Sequence, residues 1–164
     1  MNKRLAQALL AVGLLLVLAG VNWTIRSREQ LLDSGEVMLL ELAPVDPRSL
    51  MQGDYMALNF RVATQVPRAD DAVPSEGRVV VSRAANGVGT FVRVHQGEAL
   101  GADERLLDYK VRDRRTRIVT NAYFFQEGQG ARFNAAKYGE LRVAPSGQAL
   151  LVGMRDGELR PIRP

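Results

Sequence analysis

The chain has 164 residues, of which 46% are hydrophobic and 24% charged, with a formal net charge of +4, a single histidine and no cysteine. Without cysteine it has neither disulfides nor thiolate chemistry, which suits an oxidising compartment without requiring one. Setting aside Lys3 and Arg4, which precede a long apolar run, leaves 20 of the 22 basic residues against 18 acidic ones, a surplus too small for a nucleic-acid binder.

From residue 5 to residue 25 only Gln7, Asn22 and Thr24 interrupt that apolar run. A bilayer core takes ~20 apolar residues in helical form, because a helix satisfies its own backbone polar groups in hydrocarbon. The run therefore reads as a membrane-spanning helix in contact with lipid. Lys3 and Arg4 before it, partly offset by Arg26 and Arg28 after it, favour a cytoplasmic amino terminus and an extracytoplasmic domain. Cleavage is the rival reading, since Val17-Leu18-Ala19 before Gly20 offers small residues to a signal peptidase. Against it, the run continues through Val21, Trp23 and Ile25, longer than a signal-peptide core, and Trp23 suits a membrane interface. Val21 also stands where a lipoprotein would need cysteine.

Residues 26–35 remain helix-compatible until Ser34-Gly35 supplies a stop. The expected organisation is a cytoplasmic tip and anchor over 1–25, a juxtamembrane helix over 26–35 and one β-rich domain over 36–164. Residues 36–43 read as a first strand, ended by Pro44 and Pro47, which remove two ladder donors. Gly53 opens a second strand over 54–62, and residues 65–77 form a loop with two prolines and the pair Asp70 and Asp71. Strands over 78–83 and 90–96 join through Asn86-Gly87, a pair tolerant of positive φ. Strands over 105–112 and 117–125 join through the polar turn 113–116, and the alternating charges of 105–117 read as a solvated sheet face. Residues 131–138, with Ala135 and Ala136, are the best soluble helix, ended by Gly139. Three short strands follow over 140–144, 148–154 and 158–162. The fold class is mainly β with one short soluble helix (α+β), plus one amino-terminal transmembrane helix.

The densest cluster of unusual residues spans 43–60. Its Gly53-Asp54-Tyr55, followed by Leu58 and an aromatic at position 60, resembles the GDYXXLXY family of membrane-anchored bacterial proteins. The preceding Pro44-Val45-Asp46-Pro47-Arg48, and the later Tyr123-Phe124-Phe125-Gln126-Glu127-Gly128 and Lys137-Tyr138-Gly139-Glu140, are similar to it too. The resemblance thus covers most of the soluble region. It implies membrane association and a domain found beside or fused to polytopic membrane proteins, and it names no reaction. Phe60 stands where the motif has tyrosine, so no role that rests on a phenol hydroxyl carries over to that position.

Physically, Asp46 and Asp54 suit turn amides, with Arg48 locking the loop by pairing with either carboxylate. The alternative gathers Asp46, Asp54 and Glu127 around a pocket as acid, base or metal ligands. His95 has no HExxH partner and reads as a surface or hydrogen-bonded strand residue, with Phe91 and Arg93 on its face by alternation. A Ser-Lys protease site at Ser49 fails for want of a lysine in a convincing position. Tyr123, Phe124 and Phe125 read first as a strand feeding the core. They also offer the wall of a binding groove with Tyr55, Phe60 and Tyr138, suited to a peptide or another membrane protein. The expectation is an interaction or accessory module on the outer side of a bacterial cytoplasmic membrane, assembling with a polytopic membrane protein. The competing class is an extracytoplasmic hydrolase or ligand-binding enzyme using the clustered carboxylates. Neither a cofactor nor a metal is called for.

Overall fold

In a computed structural model, which describes residues 3–43, 51–52, 55–67 and 74–163, the apolar run folds as helix α1 (Lys3–Ser34). Its stretch Leu9–Ser34, 26 residues, is long and apolar enough to cross a membrane; at ~1.5 Å per residue it exceeds the ~30 Å of a bilayer core. Its polar side chains turn back on the helix itself. Asn22 Nδ2 donates to the Leu18 carbonyl at 3.0 Å, and Thr24 Oγ1 to that of Gly20 at 2.9 Å. The helix runs without a break past residue 25. The chain divides into two units, Met1–Ser34 and Gly35–Pro164.

The second unit is mostly β structure. Its strands are β1 (Glu36–Glu41), β2 (Met51–Gln52), β3 (Tyr55–Ala57), β4 (Glu76–Arg83), β5 (Val88–Val94), β6 (Glu104–Arg112), β7 (Arg115–Ile118), β8 (Ala122–Phe124), β9 (Tyr138–Val143), β10 (Ala149–Arg155) and β11 (Pro161–Ile162). A short helix α2 (Arg61–Gln65) and a 3-10 helix (Gly130–Ala135) complete it. Eight strands form one sheet in the order β11-β10-β9-β1-β5-β4-β6-β7, and β2-β3-β8 form a smaller one. Among the described residues of the large sheet only β1 and β5 pair in parallel; the other neighbours are antiparallel.

One face of the large sheet is the core. Met38 and Leu40 of β1, Val79 and Val81 of β4, Leu107 and Tyr109 of β6, and Leu141 and Val143 of β9 are all buried there. This is the period-2 alternation of strands with one face turned inward. The cover over that face comes from Met56, Leu58, Phe60, Val62, Ala63, Val66 and Phe133, residues of β3, α2, their connections and the 3-10 helix. At ~25 cal/mol per Å² of apolar surface removed from water, this burial is the main force holding the unit together.

The sheet is strongly curled. The β9–β10 turn reaches across to β6, where the Asp108 N–H donates to the Gly147 carbonyl at 2.9 Å. That contact depends on glycine: Gly147 has φ +100°, and a Cβ there would stand 2.9 Å from Asp108 Oδ1. Three strands, β1, β5 and β4, lie between β9 and β6 in the order, so the curl carries the turn over them to an edge of β6 left open beyond β7.

Three local expectations are corrected. The expected strand over 54–62 stops at Ala57, and Arg61–Gln65 is helical; Val62 and Ala63 reach the core together from adjacent positions, which one strand face cannot offer. The expected helix over 131–138 is a 3-10 helix ending at Ala135, and Tyr138 begins β9. Pairing with β1 along its whole length holds Tyr138 in the sheet, so tertiary context overrides the local propensity of Ala135 and Ala136. The expected strand over 117–125 is broken at Val119, whose φ of +61° cannot continue a strand.

Candidate functional site

The small sheet sets out an aromatic face. Tyr55 of β3 stands opposite Phe124 of β8, and Met56 opposite Tyr123. Because side chains alternate across a strand, Met56 and Tyr123 turn toward the core while Tyr55 and Phe124 share the other side. Met56 is accordingly buried and packs with Tyr123 in the core cluster. Phe124 is 73% exposed, with its ring centroid 5.8 Å from that of Tyr55.

Beneath them Phe133 anchors two more rings. Tyr123 meets it edge-on at 5.2 Å and Phe125 stacks on it at 5.1 Å, both favourable aromatic arrangements. Tyr123, Phe124, Phe125, Gln126 and Phe133 line a shallow groove of about 310 Å³. The turn leading into β8 is locked locally. Thr120 Oγ1 donates to the Ala122 carbonyl at 3.0 Å, and Leu58 N–H donates to the Asn121 carbonyl at 2.8 Å.

The structure separates the residues singled out from the sequence. Tyr55 belongs to the aromatic face. Phe60 does not: it is 1% exposed, deep in the core, its ring resting on Gly139, where a Cβ would lie 2.8 Å from Phe60 Cε1. Tyr138 precedes Gly139 in β9 and points by alternation to the opposite side of the sheet, half-buried. Glu127 is exposed on the turn after Phe125. Asp46, Arg48 and Asp54 lie outside the described residues. Phe133, which holds the aromatic groove, falls within the expected helix over 131–138 and outside the expected site; no spacing signal ties it to Tyr123 and Phe125, because the contact is purely tertiary.

Among the described residues, most acidic side chains outside α1 form ion pairs with arginine or lysine, several of them across neighbouring strands. Arg93 forks onto Glu104, Nη1 to Oε1 at 2.6 Å and Nη2 to Oε2 at 3.0 Å, and its Nε donates to Glu98 Oε1 at 2.7 Å. The guanidinium draws the Glu104 carboxyl down to about 2. Backbone amides, with Arg93 added, bring Glu98 to about 2 as well. Glu36, at the start of β1, pairs with Arg105 and Arg83, and the Arg105 hydrogen bond lowers its pKa. Arg155 Nε donates to Glu140 Oε2 at 2.8 Å across β10 and β9. Carboxylates held so far below neutrality stay ionised, so Glu98 and Glu104 are poorly matched to proton transfer at neutral pH. Among the described residues, no group of three or more His, Cys, Asp or Glu side chains is placed to hold a metal ion.

The sequence profile of the GDYXXLXY protein family matches residues 17–154. No curated protein and no solved structure matches the chain. The profile takes in most of the chain, from within α1 through β10, including the aromatic face and the core strands that support it; the chain belongs to the GDYXXLXY family.

Proposed function

We propose that this protein is a single-pass, membrane-anchored interaction module. α1 sits in a bacterial cytoplasmic membrane, the β-rich unit lies on the extracytoplasmic side, and the unit assembles with a polytopic membrane protein through the Tyr55–Phe124 face. The observation that carries this reading is Phe124, a large ring 73% exposed, backed by Tyr55 and adjoining the groove over Phe133. Exposed aromatic anchors beside a preformed groove are typical of binding hot spots, and an isolated exposed Leu or Val would carry no such weight. The length and apolar character of Leu9–Ser34 support the anchor.

Two experiments test it in the full chain in its own membrane. A photo-crosslinking amino acid at position 124 is expected to give one discrete adduct with a multispan protein, lost when Tyr55 is changed to Ala and absent when the crosslinker replaces exposed Asn86. Labelling only of lipid, or equal labelling from position 86, refutes the contact. For orientation, Ala85→Cys places a single thiol on the exposed β4–β5 turn of a chain that otherwise has none. Reaction with a membrane-impermeant maleimide in intact spheroplasts is expected, and protection until lysis refutes the extracytoplasmic placement.

A further inference from the structure

Residues 105–117 read in sequence as a solvated sheet face, and the register makes the outer half of that face an unusual one. Tyr109 and Ile118 are buried and stand opposite each other in β6 and β7. Alternation then turns Lys110 and Arg112 of β6, with Arg115 and Arg117 of β7, together to the outer face. They meet like with like: Lys110 lies directly opposite Arg117, and Arg112 directly opposite Arg115. Like charges so placed destabilise a sheet. Elsewhere the same sheet sets base against acid, as in Arg105 with Glu36 and Arg155 with Glu140.

The fold compensates this charge only thinly. Glu76 meets Lys110 at 3.0 Å and Asp113 meets Arg117 at 3.4 Å, but these carboxylates are 66% and 86% exposed, and pairs so open to water are worth little. Arg112, Arg114 and Arg115 are exposed, and among the described residues none of them makes an ion pair or a hydrogen bond. The loop between the strands is Asp113-Arg114, with φ 52° and 58°. A two-residue hairpin loop of this kind favours asparagine and glycine, which the β4–β5 turn supplies as Asn86-Gly87; here an arginine stands where glycine would be at ease. Positive charge is thereby gathered at one end of the sheet. Over the rest of residues 35–164 acidic side chains slightly outnumber basic ones.

We propose that this basic face binds an acidic peptide segment in extended form, with carboxylates at every second residue. Side chains on one face of a strand recur every ~6.8 Å, so the carboxylates of an extended segment match the spacing from Lys110 to Arg112 and from Arg115 to Arg117. Each guanidinium can take a carboxylate in its planar fork. A bilayer surface is the poorer occupant, because segments that lie among headgroups join cations to apolar or aromatic side chains, and residues 112–115 have none. The proposal deepens the interaction reading and rests on it for the source of the segment: extracytoplasmic loops of polytopic proteins lack the Lys/Arg excess of cytoplasmic ones. The contact uses no residue of the Tyr55–Phe124 face.

The full chain in phosphatidylcholine nanodiscs is titrated at low salt with three fluorescein-labelled peptides: a Glu-Thr repeat, a Gln-Thr repeat, and a block isomer of the first with its glutamates contiguous. Anisotropy is expected to show saturable binding of the Glu-Thr repeat, about tenfold tighter than the Gln-Thr repeat and about threefold tighter than the block isomer, weakening as salt is added. Arg112→Gln with Arg115→Gln is expected to weaken binding about fivefold and to leave the urea midpoint unchanged or higher, since these arginines repel each other and hold no partner in the fold. Arg163→Gln, a control at another exposed arginine, is expected to change neither. No saturable binding, equal binding of the Glu-Thr and Gln-Thr repeats, equal binding of the block isomer, or an equal loss in Arg163→Gln overturns the proposal. Capture of phosphatidylglycerol vesicles without binding of the peptide, lost in the double variant, overturns it in favour of a lipid occupant. Peptide binding without an adduct from position 124 refutes the aromatic contact and keeps this one, and an adduct without peptide binding does the reverse.

Discussion

Gly139→Ala is expected to destabilise the β-rich unit, and to reverse its sign when Phe60 is made smaller. Gly139 lies in β9, and a Cβ there would sit 2.8 Å from Phe60 Cε1, 3.2 Å from Phe60 Cζ and 3.1 Å from Leu151 Cδ1. The Phe60 ring is 1% exposed, so it has no solvent to move into. Overpacking of this kind costs about 1–3 kcal/mol. Against that, alanine in a strand interior recovers roughly 0.5–1 kcal/mol, because glycine loses more conformational freedom on folding. The net expectation is a loss of about 1–2 kcal/mol. With an unfolding slope of roughly 2 kcal/mol per molar urea, the midpoint falls by about 0.5–1 M. In a Phe60→Leu background the ring edge is gone, the steric cost shrinks, and the same alanine becomes neutral or stabilising by up to about 1 kcal/mol. Pulse proteolysis in urea on the detergent-solubilised full chain measures all four corners of the cycle without needing a tryptophan in this unit. Equal loss in both backgrounds, or a gain in the Phe60 background, refutes the claim that ring and glycine are packed as one unit.

Gly147→Ala places a Cβ 2.9 Å from Asp108 Oδ1 at φ +100°, so a loss of at least about 1 kcal/mol is expected, read as a lower thermal midpoint; an unchanged midpoint removes the β9–β10 turn from the closure of the sheet. Val119→Gly relieves a β-branched residue held at φ +61° and is expected to raise the urea midpoint by the equivalent of about 1 kcal/mol. For Glu98 and Glu104, folded pKa values near 2 lie below the ordinary 4.5. The unfolded chain therefore takes up protons first as pH falls, and the stability these groups contribute is present above about pH 4.5 and lost between there and about pH 2. Arg93→Met removes the main cause at Glu104 and leaves Glu98 its backbone amides. The fall in urea midpoint from pH 5 to pH 3 is expected to be shallower in that variant than in the parent, and an equal or steeper fall refutes the assignment.

The amino-terminal helix, the prevalence of β structure and the family could be read directly from the chain. A long apolar run, the turn residues Asn86-Gly87 and Pro145-Ser146-Gly147, and the Gly53-Asp54-Tyr55 motif are local signals, each fixed by the chemistry of adjacent residues. Which residues come together was a different matter. Phe60 and Tyr138 looked like partners in one groove, yet one fills the core and the other lies across the sheet. The reason is tertiary: Phe60 bridges to Leu42 and turns its ring onto Gly139, whereas alternation along β9 sends the neighbouring Tyr138 to the opposite side of the sheet. Phe133 beneath Tyr123 and Phe125, the parallel pairing of β1 with β5 and the reach of Gly147 to Asp108 are likewise contacts between distant segments. Local preference sets where a strand or turn is affordable in energy, whereas the closing of the sheet and the burial of its one apolar face select the partners.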